Sequence, residues 1–298
     1  MHDIKEALQV SPEISEETKA NILALITSPN DVQILHRLTE PEPVPPTPGM
    51  KRVAFLDTET TGVDTATDEM IELGYVIMEF DTKGNLGNVI KIYNALNQPA
   101  LPILNSHIHG ISDDMVVGQK IDFTEVRADM EAVNLIIAHN SGFDRKIIER
   151  YDDVFKTIPW ACTYKDINWT PTGIASQKLS YIAYCCGFFF DAHRATVDVF
   201  ATIEFIKRLD VFKELVIAAM QKQYILSAQG SPFSKKDDLK NRGYKPLYVA
   251  GKFVCWYTSV TEDLMNDERN WLLKDGGCRH VPVKEVSSLD RYSVREQF

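Results

Sequence analysis

Apolar and polar positions change period several times along the chain. Residues 1–40 carry helical spacing, with Ile4 and Leu8 followed by Ile22, Leu23, Leu25 and Ile26, and predict an N-terminal segment of two short helices. Pro41-Glu42-Pro43-Val44-Pro45-Pro46-Thr47-Pro48-Gly49 breaks that pattern. Prolines at this density forbid helix and disfavour strand pairing, so residues 41–50 read as an extended linker. The apolar run Val53–Leu56 then predicts a buried strand that ends in Asp57 and Glu59. Ile71–Phe80 and Val89–Leu96 predict a hairpin about the turn Asp81-Thr82-Lys83-Gly84-Asn85. Leu135–Ala138 is a further short strand, followed by a helix with Ile147, Ile148 and Tyr151 at helical spacing and by helices near 176–187 and 195–207. Strands alternating with helices give an α/β domain over residues 51–222.

From residue 227 the character shifts to Gly, Pro, Lys and aromatics. A helix over Lys235–Arg242, a hairpin over Tyr248–Ser259 turning at Ala250-Gly251-Lys252, and a helix over Thr261–Lys274 with Thr261 as N-cap predict a small α+β module spanning 227–298. Its core is thin enough to require docking on the main domain.

Composition narrows the field. Hydrophobic content of 44% and charged content of 25% are ordinary for a soluble globular chain. No apolar run approaches bilayer length, and Asp3, Lys5 and Glu6 do not fit a secretory leader, so the expected location is the cytoplasm, away from membrane. Five cysteines with no C-x-x-C spacing suggest neither a disulfide framework nor a zinc site. The net charge of −10 is uneven: residues 222–298 hold 13 Lys and Arg against 10 Asp and Glu, while the rest hold 19 against 32. Direct attraction for phosphate is therefore expected from the C-terminal part, and the acidic part needs metal to meet an anionic polymer.

Three stretches carry candidate chemistry. Alternation along the first strand puts Asp57 and Glu59 on one face. Two acids that close repel, and a hard divalent cation between them relieves the repulsion. The bland alternative is a solvated strand end paired with Lys51 and Arg52. Asp144, in Ala138-His139-Asn140-Ser141-Gly142-Phe143-Asp144, falls in the first turn of a helix after a buried strand, where ligands bind in α/β sheets and where an acid also complements the helix dipole. In His193-Arg194-Ala195-Thr196-Val197-Asp198, Asp198 enters an apolar helix, a costly place for an unpartnered charge. His193, just before that helix, can accept a proton from water, or can simply be a surface residue.

Taken in order, Asp57-x-Glu59, Asp144 after Ala-His-Asn-x-x-Phe, and His193-x-Ala195-x-x-Asp198 resemble the DEDDh 3'-5' exonucleases, the group that includes the epsilon subunit of bacterial DNA polymerase III and RNase T. Ile108-His109-Gly110-Ile111, with Asp113 and Met115, is similar to that family's His-Gly-Ile segment. The resemblance covers residues 52 to about 208. It implies a ribonuclease-H-like mixed sheet flanked by helices. It also implies that Asp57, Glu59, Asp144 and Asp198 hold two Mg²⁺ ions, replaceable by Mn²⁺, roughly 3.5–4 Å apart, with His193 as general base. Thr60 and His109 would touch the terminal nucleotide and Phe143 would wall it. The implied partners are nucleic acid with a free 3' end, DNA ahead of RNA, and a polymerase. An exoribonuclease of the RNase T or oligoribonuclease type and a catalytically silent tethering protein are the alternatives.

Outside the resemblance, Lys235, Lys236, Lys240, Arg242, Lys245 and Lys252 alternate with Tyr244, Tyr248, Phe253, Trp256 and Tyr257. These are the ingredients of a single-strand platform, or else the core of a small domain overlaid by lysine stems.

Overall fold

In a computed structural model, residues 14–27, 33–249 and 251–296 are described. The first expected helix, with Ile4 and Leu8, lies outside them, as does Ala250 of the expected turn. The second expected helix is α1 (Glu16–Thr27).

A five-stranded sheet forms the centre. Strands β2 (Lys51–Thr60), β3 (Met70–Phe80), β4 (Leu86–Leu96), β5 (Leu135–Ala138) and β6 (Trp160–Cys162) lie in the order β4-β3-β2-β5-β6. The β2/β3 and β3/β4 pairs are antiparallel and the β2/β5 and β5/β6 pairs are parallel, so the sheet is mixed and ribonuclease-H-like. β2 is longer than the expected four-residue strand. It continues through both acids because its pairing with β3 runs to Glu59 opposite Glu72.

Both faces are covered. One packs Val53, Phe55, Val76 and Met78 against α5 (Ala195–Leu209) and α6 (Phe212–Met220), with α4 (Leu179–Cys185) alongside. The other packs Ala54, Leu56, Tyr75 and Ile77 against α2 (Phe123–Met130) and α3 (Ser141–Ile148). Every residue of β3 is buried, as a central strand covered on both sides requires.

The proline-rich segment is bound rather than free. Val44 N–H donates to the Val89 carbonyl at 2.9 Å, and Thr47 bonds the buried Glu79 carboxylate through both its N–H and its hydroxyl. Prolines remove donors, but the remaining N–H groups still find acceptors on the sheet. Upstream, β1 (His36–Arg37) pairs in parallel with β7 (Phe188–Phe189).

The sequence pattern predicted neither α6 nor the strand after it. That strand, β8 (Gln223–Ala228), opens a second sheet with α7 (Lys236–Asn241), β9 (Lys245–Val249), β10 (Lys252–Thr261), α8 (Glu262–Lys274) and β11 (Val283–Val286). The order β11-β8-β10-β9, all antiparallel, with the sequence βαββαβ, is the ferredoxin-like arrangement. Its core of Leu226, Leu239, Tyr244 and Leu272 is small. Thr261 does stand at the N-cap of α8, with no side-chain capping bond.

The chain then returns to the first sheet. Arg145 of α3, 0% exposed, pairs with Glu149 at 2.7 Å and donates to the carbonyls of Ser288, Leu289 and Arg291. Arg291, also buried, reaches Asp166 and the Ala218 carbonyl, and Tyr292 packs into the core between α2, α3 and the sheet. Residues 287–296 therefore form a strap across the helix that carries Asp144.

Candidate active site

The acids converge where β2 and β5 end. Asp57 and Glu59, half-buried, alternate along β2 with the buried Thr58 and Thr60. Asp144 comes from the first turn of α3, which the chain enters through Asn140 in the left-handed region at φ 68°. It is 2% exposed, and its Oδ1 accepts from the Thr58 N–H at 3.0 Å and the Thr58 hydroxyl at 2.9 Å. Thr58 thus ties α3 to the strand that carries the other two acids.

Asp198 arrives on α5, and the seat of that helix is set by β3. A Cβ on Gly74, which pairs with Asp57, would lie 2.5 Å from Thr196 N and 2.7 Å from Ala195 C. Only glycine permits this approach of helix to strand. Two residues earlier on the same face, Glu72 is fully buried and accepts from Ala195 N–H at 3.0 Å, capping α5 in place of the missing N-cap bond. The same carboxylate takes both a 2.7 Å and a 3.2 Å bond from Arg194, whose side chain is 39% exposed. His193 precedes this anchor with φ 70°, and its N–H donates to Asp198 at 3.1 Å. Ligand atoms of Glu59, His193 and Asp198 lie within 4.8 Å of one another, and Asp57 and Asp144 stand around that group.

Electrostatics set the character of the site. Burial, then Asp198, Glu72 and Asp144, push Glu59 up to about 8, with Arg194 offering partial relief. Burial raises Asp144 to about 7 against the two Thr58 bonds, and raises Asp198 to about 7 against the bond from His193. Asp57 is raised well above the usual carboxylate range by burial and then by Asp144, Asp198 and Glu59. Four carboxyls so placed cannot all ionise unaided, and Arg194 is engaged by Glu72. An oxygen-only acid set with an adjacent imidazole fits hard divalent cations.

The remaining expected residues fall at the rim. His109 is 4% exposed, and its Nδ1 accepts from Ile111 N–H at 3.1 Å, so Nε2 carries the proton; that Nε2 has no partner among the described residues. The Thr60 hydroxyl is spent on the Gly62 carbonyl at 2.6 Å, while its own carbonyl accepts from Asn105, whose Oδ1 is buried with no partner among the described residues. Thr60 therefore shapes the loop rather than offering its hydroxyl. Phe143, in the first turn of α3, is half-buried against the core. His139 is structural: its ring bridges Thr163 Oγ1 at 2.7 Å and the Gln177 carbonyl at 2.8 Å, and burial lowers it to about 4.

Glu72, Gly74, Arg194 and Asn105 were not singled out by sequence reasoning. A signal existed for two of them. Glu72 is a charge inside an apolar strand, and Gly74 is a glycine inside the same strand, a mark of close backbone approach.

Residues 54–206 match the model of the family described as Exonuclease (RNase_T). The chain is similar to the DNA polymerase III PolC-type of Thermotoga maritima, 25% identical over 244 residues, which are 75% of this chain and 17% of that protein. It therefore spans about a sixth of the length of that relative. It is also similar to the DNA polymerase III subunit epsilon of Treponema pallidum, 39% identical over 101 residues, covering 32% of this chain and 44% of the relative. Among solved structures, Escherichia coli Exonuclease I in complex with a dA16 oligonucleotide aligns with a TM-score of 0.42 at 16% identity, over 70% of this chain and 63% of that one.

Proposed function

The chain belongs to the Exonuclease family, and from that premise we propose that it is a metal-dependent nuclease that removes nucleotides one at a time from 3' ends, DNA ahead of RNA. The observation that carries this reading is the meeting of acids from three distant segments with one imidazole, Glu59, His193 and Asp198 lying within 4.8 Å. The preference for DNA, and a polymerase as partner, are supported by the relatives that are DNA polymerase III proteins.

Asp57, Glu59, Asp198 and Asp144 would hold two divalent ions, Mg²⁺ or Mn²⁺. The bound metal supplies Lewis-acid charge stabilisation at the scissile phosphate. The protein's own part is proton handling and position. His193, exposed at the rim and tethered by its backbone to Asp198, accepts a proton from the attacking water. The water oxygen bonds phosphorus, the bond to the 3'-oxygen breaks, and that oxygen takes a proton from solvent, releasing a nucleoside 5'-monophosphate. His109 Nε2–H is an unsatisfied buried donor and is suited to the terminal nucleotide. Phe143 gives that nucleotide an apolar wall.

The test uses single-stranded DNA, duplex DNA and RNA labelled at the 5' end, with Mg²⁺, with chelator, and with Asp57→Ala. A ladder of 3'-shortened products that vanishes with chelator and in the variant is expected. Cleavage without metal, or full activity of Asp57→Ala, refutes the mechanism, and cleavage of RNA alone moves the substrate class.

A further inference from the structure

A cleft of about 400 Å³, inside the ~300–1,000 Å³ range of ligand sites, lies where the second sheet meets α3, residues 165–166 and the strap. One wall is Lys146 and Lys165 from the first domain; the other is Ile225, Lys245, Leu247 and Tyr257 from the second sheet. That second wall is the sheet face turned away from its helices. Trp256, Val260, Tyr224 and Leu226 point to the helix side and join the small core, so their neighbours Tyr257, Ser259 and Ile225 point to the cleft.

Some of the aromatic and basic residues after 234 are committed within the second module, and others line the cleft. Tyr244 and Trp256 are core, Arg242 is held by Glu268, and Lys235 by Asp238. Lys245 and Tyr257 face Lys146 and Lys165 instead. Of the two acids in the cleft, Asp166 is bonded by Arg291 and by the Tyr292 hydroxyl, and Glu296 accepts from the Tyr292 N–H at 2.7 Å, against three lysines.

The cleft also reaches the N-terminal end of α3, the helix that carries Asp144. Lys165 Nζ lies 3.8 Å from where a Gly142 Cβ would be, and Gly142 stands two residues before Asp144 at the start of α3. Lys146 follows one turn later on the same face as Gly142.

We infer that this cleft carries the single strand upstream of the scissile phosphate, with lysines on its phosphates and Tyr257 as a stacking surface. The inference rests on the nuclease reading for the position of the 3' end. Four-stranded βαββαβ sheets with aromatics on the open face suit unpaired bases.

The test is anisotropy binding of a dinucleotide and a dodecanucleotide of single-stranded DNA to the full chain across a range of salt, in an Asp57→Asn background that leaves the strands intact. Lengthening the strand should tighten binding and steepen its salt dependence. Lys146→Gln with Lys245→Gln should flatten that added slope by about 0.7 per lysine, and Tyr257→Leu should reduce the added affinity about fivefold or more. An unchanged length effect in these variants overturns the inference and assigns the cleft to some other occupant. Equal weakening for both lengths also overturns it, since the effect is then not upstream. Failure of the parent chain to shorten either strand with Mg²⁺ is a separate result, and it refutes the nuclease reading alone.

Discussion

Asp144→Asn should stabilise the metal-free protein at neutral pH, although it removes a proposed metal ligand. Asp144 is 2% exposed and its proton is held from its ordinary 3.8 up to about 7 by burial, with Asp198 adding to the shift. A carboxyl raised in the folded state contributes stability that is present below 3.8 and is lost as pH climbs through about 7. The folded state must then either keep a proton that the unfolded chain releases or bury a charge. About three pH units correspond to ~4 kcal/mol as an upper bound, and relaxation of the cluster brings the expected gain to about 1–3 kcal/mol. Asparagine keeps the Oδ1 that accepts both Thr58 bonds and turns an amide N–H₂ toward the other acids, so geometry is preserved. Thermal melts in chelator from about pH 5 to pH 8 measure the effect. The parent should lose stability across that window, the variant less so, and Mg²⁺ should restore the parent while doing little for the variant. A metal-free parent that gains stability toward pH 8, or a variant less stable than the parent there, would refute the picture of four acids straining against one another.

His193→Ala should still bind Mg²⁺ by calorimetry yet lose roughly 10²–10⁴-fold in turnover near neutral pH, the usual worth of a positioned base; normal turnover would remove His193 from that role. Arg145→Met should cost about 3–5 kcal/mol in denaturant unfolding because it strands buried Glu149 and frees the strap, with Arg295 at 3.1 Å from Glu149 limiting the loss. A cost within error would mean that the strap contributes nothing to the helix carrying Asp144.

Much of this architecture can be read without coordinates, for definite reasons. Period-two alternation places Asp57 and Glu59 on one face of β2, and the apolar spacing of Val199, Ile203 and Ile206 marks the buried face of α5. The partner of Glu72 could not be read in the same way, since Arg194 is 122 residues away and only topology brings the two together. The strap is harder still. Arg291 is 1% exposed and Ser293 is 1% exposed, yet a pattern reading assigns such residues to the surface. They are buried because the Ala218 carbonyl and the Asp166 and Glu149 carboxylates accept from the Arg291 Nη groups and the Ser293 hydroxyl, and hydrophobic periodicity is blind to that. The proline run failed in the opposite sense: its residues do read as extended, but no local signal shows that Thr47 docks on Glu79.

Glu72 and Gly74 give the site its reference point. Both belong to β3, every residue of which is buried, and together they fix the height and tilt of α5 above it. Opening of peripheral parts, such as the proline run, should therefore leave the spacing between Asp57 and Asp198 untouched. In hydrogen exchange, the amides at the start of α5 should open only with global unfolding, which makes this end of the helix a fixed datum from which the reacting groups take their alignment.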